Sequence, residues 1–118
     1  MRLVRFGSSQ EKRKQPKMSA LIPKEIRETL PDLYASEDTI DPLCQIKLFT
    51  PDANWTWFII ELSQEDKSTC YGYVKGLENE LGYFSLEEIE SVRGALNLPV
   101  ERDLSFEPML LSKVMEGS

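Results

Sequence analysis

The side chains best suited to recognition chemistry fall in two stretches. Trp55, Trp57, Ile59 and Glu61 recur at every second position, which on a β-strand puts them on one side, with Thr56, Phe58, Ile60 and Leu62 on the other. The even side reads as a core face. The odd side is apolar but ends in a carboxylate. Large aromatics bury much area at low entropic cost and anchor protein contacts, so this side is a candidate interaction face, the alternative being a second core face under a helix or the C-terminal residues. If the next strand lies alongside, Tyr71 and Tyr73 extend the aromatic surface into one on which bases can stack. The second stretch is Glu101-Arg102-Asp103, a guanidinium between two acids. Such a triplet can form a charge-assisted pair that pins a strand against a helix end, or it can clamp a ligand.

Other chemistry is excluded by what the chain lacks. It has no histidine, so Ser-His-Asp and Cys-His mechanisms are ruled out, and the commonest zinc ligand is missing. Cys44 and Cys70 match no zinc spacing and lie in apolar stretches, so they are expected to be reduced and buried. Glu87, Glu88 and Glu90 crowd the start of a helix, where the dipole and capping account for them. An acid-only magnesium site is chemically possible, but no Asp-x-Asp spacing supports one. The expectation is no catalytic residue, no metal and no cofactor.

The net charge of −6 conceals a division. Residues 1–17 carry six bases against Glu11, net +5; the rest carries 8 bases and 19 acids, net −11. An acidic body repels phosphate backbones, so direct nucleic-acid binding is not expected. The basic leader, residues 1–17, offers little to bury and reads as disordered; Met18 opens the patterned segment, as an ancestral start would. Residues 18–118 then form a single acidic domain, a size ordinary for one core. With no apolar run of about 20 residues and no secretory signal at the start, a soluble cytoplasmic protein is expected.

The elements that position these residues follow from periodicity. Leu21–Leu30 reads as a helix with Pro23 at its first position, a stripe of Ile22, Ile26 and Leu30, and Pro31 as its end. Strands are expected over 44–50, 55–62 and 69–77, with a brief one at 82–84, joined by short polar turns that imply an antiparallel meander. Ser85-Leu86-Glu87-Glu88 is a capping box opening a second helix that Gly94 stops. Residues 102–107 alternate and read as a last strand, with Leu104 and Phe106 on one side. Residues 110–115 form a short tail of ambiguous structure. The fold class is therefore α+β: an antiparallel meander sheet of four or five strands packed against two short helices.

One resemblance adds to this reading. Leu21-Ile22-Pro23-Lys24-Glu25, Asp41-Pro42, Phe49-Thr50-Pro51 and Asn54-Trp55-Thr56-Trp57 open a collinear series. It continues through Glu61, Gly72-Tyr73-Val74, Glu80-Leu81-Gly82-Tyr83-Phe84-Ser85-Leu86 and Arg93-Gly94, and ends on Leu98 to Leu104, Phe106 and Pro108. Over about residues 21–112 the chain resembles a bacterial and phage family known as the domain of unknown function numbered 2958. Asn97 stands where that pattern has glycine and Ser105 where it has an aromatic. The resemblance implies a habitat on phages, plasmids and other mobile elements, and no chemistry.

Three functions are consistent with these features. The first is a small non-enzymatic module whose partner is another protein, working through Trp55, Trp57, Glu61, Tyr73, Glu101, Arg102 and Asp103. The second is an acidic inhibitor that mimics nucleic acid and blocks a host defence protein. The third is a carboxylate-dependent metal enzyme. Oligomeric state is not legible in the sequence.

Overall fold

A computed structural model describes residues 21–117; the expected disordered leader and the reading of Met18 lie outside the described residues. The elements run α1 (Lys24–Arg27), β1 (Leu43–Cys44), β2 (Ile46–Phe49), β3 (Thr56–Leu62), β4 (Thr69–Lys75), β5 (Asn79–Ser85), α2 (Leu86–Ile89), β6 (Glu101–Arg102), β7 (Met109–Leu110) and α3 (Leu111–Glu116). Among the described residues no helix is long and apolar enough to cross a membrane.

Strands β2 to β5 form the expected meander because each connection is a tight turn with its own local bonds. Thr50 closes the first, its amide donating to the Trp55 carbonyl at 3.0 Å while the Trp55 amide donates to Thr50 Oγ1 at 3.0 Å. Asp66 closes the second, accepting the amides of Ser68 and Thr69 at 2.8 and 2.9 Å. The two-residue β6 pairs antiparallel with β2, giving the order β5-β4-β3-β2-β6, and β1 pairs with β7 in a separate two-stranded sheet.

The sheet is covered on both sides. One face packs Ile46, Leu48, Trp57, Ile59, Leu62, Val74 and Phe84 beneath Ile22, Leu30, Leu86, Ile89 and Val100. The other packs Cys44, Phe58, Ile60 and Tyr73 beneath Leu111 and Val114 of α3, with Phe106 against them. The α+β class holds, with three short helices among the described residues where two were expected.

Several expected boundaries move, each for a local reason. The first helix is four residues long, with Pro23 as its N-cap rather than its first residue. Beyond Arg27 the amides of Thr29 and Leu30 reach back only three residues, to the carbonyls of Ile26 and Arg27, so the chain tightens ahead of Pro31. The second helix ends at Ile89, well before Gly94, because Ser91 Oγ takes the Glu88 carbonyl and Arg93 takes those of Glu90 and Val92. The expected 102–107 strand reduces to Glu101–Arg102. There the Asp103 carboxylate accepts the Ser105 amide and hydroxyl, at 2.9 and 2.7 Å, and bends the chain out of the sheet. Leu104 is then exposed, while Phe106 turns back onto Phe58 with ring centroids 5.7 Å apart, so the two do not share a side. The ambiguous tail is a helix, capped by Asp41, which accepts the Ser112 amide at 2.9 Å and hydroxyl at 2.6 Å.

Candidate functional site

The placement of the candidate residues turns on one irregularity in β3. Ile59 pairs with Gly72 and Glu61 pairs with Tyr71, so Ile60 is an extra residue in the ladder, a β-bulge. Before it the expected alternation holds: Trp57 and Ile59 face α1 and α2, and Phe58 faces α3. After it the alternation is inverted. Leu62 joins the Trp57 side, and Glu61 stands beside Tyr71 on the α3 side. The expectation that Glu61 shares a face with Trp55 and Trp57 is therefore corrected.

Glu61 is 3% exposed and is the anchor of a turn. It accepts the amides of Tyr34 and Ser36, at 2.8 and 2.9 Å, and the Ser36 hydroxyl. Tyr34 adopts a left-handed φ of 71° there, a conformation unfavourable for a side chain of its size and held by the carboxylate. The Tyr34 and Tyr71 rings lie 6.3 and 5.2 Å from Tyr83. Burial, then a hydrogen bond with Tyr34, pushes the Tyr83 phenol up to about 12.

The aromatic platform is also corrected. Trp57 pairs with Val74, and Tyr73 pairs with Phe58, so Tyr71 and Tyr73 lie on the opposite face from the tryptophans. Tyr73 is buried beneath α3. Trp57 is 5% exposed and Trp55 36%; their rings stack with centroids 5.9 Å apart and an interplanar angle of 21°. Gly76 makes room for this stack, since a Cβ there would come within 2.3 Å of the Trp55 ring.

Trp55 and the Glu101-Arg102-Asp103 stretch meet at one open groove of about 670 Å³ at the end of the sheet. Its walls are Lys47 and Phe49 of β2, Thr56 of β3, Lys75 of β4, residues 101–104, and the turn from Thr50 to Trp55. Strand register builds it: Phe49 pairs with both Thr56 and Glu101, and Thr56 pairs with Lys75. Arg102 bonds to a carbonyl rather than to an acid, its Nε donating at 3.1 Å to the O of Leu21, which lies ahead of α1. Asp103 pairs instead with Lys47, Nζ to Oδ2 at 3.4 Å, while the same ammonium lies 6.0 Å from the Phe58 ring centre. Hydrogen bonds from the Ser105 hydroxyl and amide, with lesser help from the Lys47 hydrogen bond and charge, hold the Asp103 carboxyl below the usual range against an opposing desolvation effect. Lys75 is half-buried, and its side chain takes neither hydrogen bond nor ion pair among the described residues.

Sequence reasoning missed Lys47, Phe49 and Lys75 as site residues. Their spacing shows only that Lys47 and Phe49 share a strand face; the register that brings Lys75 to them is a tertiary fact. Both cysteines are free and buried. Burial, reinforced by Asp41, pushes the Cys44 thiol up to about 12, and burial raises Cys70 well above the ordinary value, so neither supplies a thiolate.

With this arrangement in view, the family model described as "Protein of unknown function (DUF2958)" matches residues 21–116. The chain belongs to the DUF2958 family. The DUF2958 match takes in every strand and helix described above, including both the groove and α3. No curated protein and no solved structure matches the chain.

Proposed function

We propose that this DUF2958 protein is a small, non-enzymatic interaction module of mobile-element type, working in the cytoplasm and holding a segment of another protein in the groove beside Trp55. The observation that carries this reading is convergence. Trp55, Lys75 and residues 101–104 are far apart in sequence yet line one open groove, and Lys75 is left without a partner there among the described residues. Around the same end of the domain Leu77, Leu96 and Leu104 are exposed. Exposed apolar side chains beside polar groups are a common mark of a protein-binding patch.

The test is capture from the native host. The full chain, its Trp55→Ala variant and its Lys75→Glu variant would be immobilised and the bound proteins identified by mass spectrometry. A protein held by the wild type and lost by both variants supports the reading. Equal capture by all three overturns the groove as the binding surface.

A second reading, an acidic inhibitor that mimics nucleic acid, draws on the −11 carried by residues 18–118. Its partner would be basic, bound through one continuous acidic strip, and binding would weaken steeply with salt. The third, a carboxylate-dependent metal enzyme, needs converging acids; among the described residues no three Cys, Asp or Glu side chains group as metal ligands.

A further inference from the structure

We propose that the occupant of the groove is an acidic peptide segment, with a carboxylate on Lys75 and a neighbouring apolar side chain against Trp55 and Phe49. This rests on the reading of the groove as a protein-binding site and adds the chemistry of what it holds. Charge distribution is the argument. Residues 18–118 contain 8 bases and 19 acids, yet the groove gathers Lys47, Lys75 and Arg102 against only Glu101 and Asp103. Lys47 is neutralised by Asp103 at 3.4 Å, and Glu101 is exposed at the rim. Three bases against two acids leave a net charge of +1 in a wall that also offers aromatic surface, inside a domain that is otherwise strongly acidic.

The other bases among the described residues have partners elsewhere. Lys24 pairs with Glu28, Lys113 with Glu116, and Lys67 donates to Gln64 at 2.6 Å. Arg27 donates to Ile22 O at 2.6 Å, and Arg93 donates to the carbonyls that end α2. Among the described residues Lys75 is therefore the ammonium with neither hydrogen bond nor ion pair, and it stands half-buried in the groove wall. A partly desolvated lysine strengthens its interaction with one incoming carboxylate. Nucleic acid fits less well: its chain of phosphates would run from the few groove bases over a body of −11.

The test uses the full chain and a phage-displayed library of random peptides of roughly twelve residues. Selection should enrich Asp or Glu within a few positions of an aromatic or aliphatic residue. Binding of a selected peptide, read by fluorescence anisotropy, should weaken about tenfold or more in Lys75→Glu and in Trp55→Ala and survive in Lys75→Arg. A melting curve of each variant confirms that it is folded. If the selected peptides lack acids but still depend on Trp55, the acidic specificity fails while the groove remains a protein site. If nothing is selected, or the selected peptides ignore both substitutions, the reading of the groove fails as well. If a fluorescein-labelled oligothymidylate binds and displaces the peptides, the groove is a nucleic-acid site and the proposal is overturned.

Discussion

Glu61 stands opposite Tyr71, and Ile59 stands opposite Gly72, so three residues of β3 face two of β4. The extra residue, Ile60, turns the Glu61 carboxylate to the face under α3. There it receives the amides of Tyr34 and Ser36. One inserted position thereby converts a candidate surface carboxylate into an internal clamp on a distant turn.

Removing that carboxylate should be expensive. Glu61→Ala leaves the part-buried amides of Tyr34 and Ser36 without their acceptor, and the expected loss is about 1–3 kcal/mol. Glu61→Gln keeps one side-chain oxygen and should lose less. Urea unfolding of the two variants measures both; a Glu61→Ala protein as stable as wild type would show that the clamp carries no stability.

The bulge also brings backbone close to Gly72. A Cβ at that position would meet the Phe58 carbonyl oxygen at 1.9 Å and the Ile59 Cα at 3.2 Å. Backbone inside a five-stranded sheet cannot easily give way, so Gly72→Ala should destabilise by roughly 3 kcal/mol or more. Thermal unfolding would register this as a large fall in Tm. A neutral result would mean that β3 lies farther from β4 here.

The stacked tryptophans should separate stability from recognition. Trp57 is enclosed in the core, and Trp57→Ala should cost about 3–5 kcal/mol. Trp55 is 36% exposed, and its removal loses mainly the ring stack, about 1 kcal/mol. Paired denaturation curves test the ordering, and a Trp55→Ala loss equal to that of Trp57→Ala would assign Trp55 to the core.

Ser85 caps the second helix through the Glu88 amide at 3.4 Å, and its hydroxyl lies 3.0 Å from that of Ser68. Ser68 Oγ in turn accepts the Glu87 amide at 3.2 Å. Only the forward arm of the capping box forms, since Glu88 Oε1 is buried without a hydrogen-bond partner among the described residues. Ser85→Ala should cost about 1 kcal/mol in a urea melt, and no change would mean that Ser68 alone suffices.

Asp66 gives the expected acid response. Burial works to raise its carboxyl, but hydrogen bonds from the Thr69 hydroxyl and amide, the Ser68 amide and Ser63 outweigh it, and the result lies below the ordinary value. A depressed folded value means that the carboxylate contributes stability above the unfolded value of about 3.9. That contribution disappears as pH falls through the lower folded value. Below about pH 4 the wild type should lose stability more steeply than Asp66→Asn. Parallel slopes for the two proteins would remove Asp66 from the acid transition.

By itself the sequence determined the meander, the Ser85 cap, the buried cysteines and the apolar character of Ile22 and Leu30, which are buried although both lie outside the short α1. These depend on neighbours within a few positions, where backbone geometry and side-chain period act directly. The tertiary structure decided which face each candidate residue occupies. The Ile60 bulge leaves no mark in the pattern of apolar residues, because Ile60, Glu61 and Leu62 keep the alternation while the backbone breaks it. The cap on α3 came from Asp41, 71 residues from Ser112, which no local window contains. The groove arose in the same way. Lys47, Lys75 and Glu101 belong to separate strands, and only the hydrogen-bonded register of β6, β2, β3 and β4 brings them to the same end of the sheet.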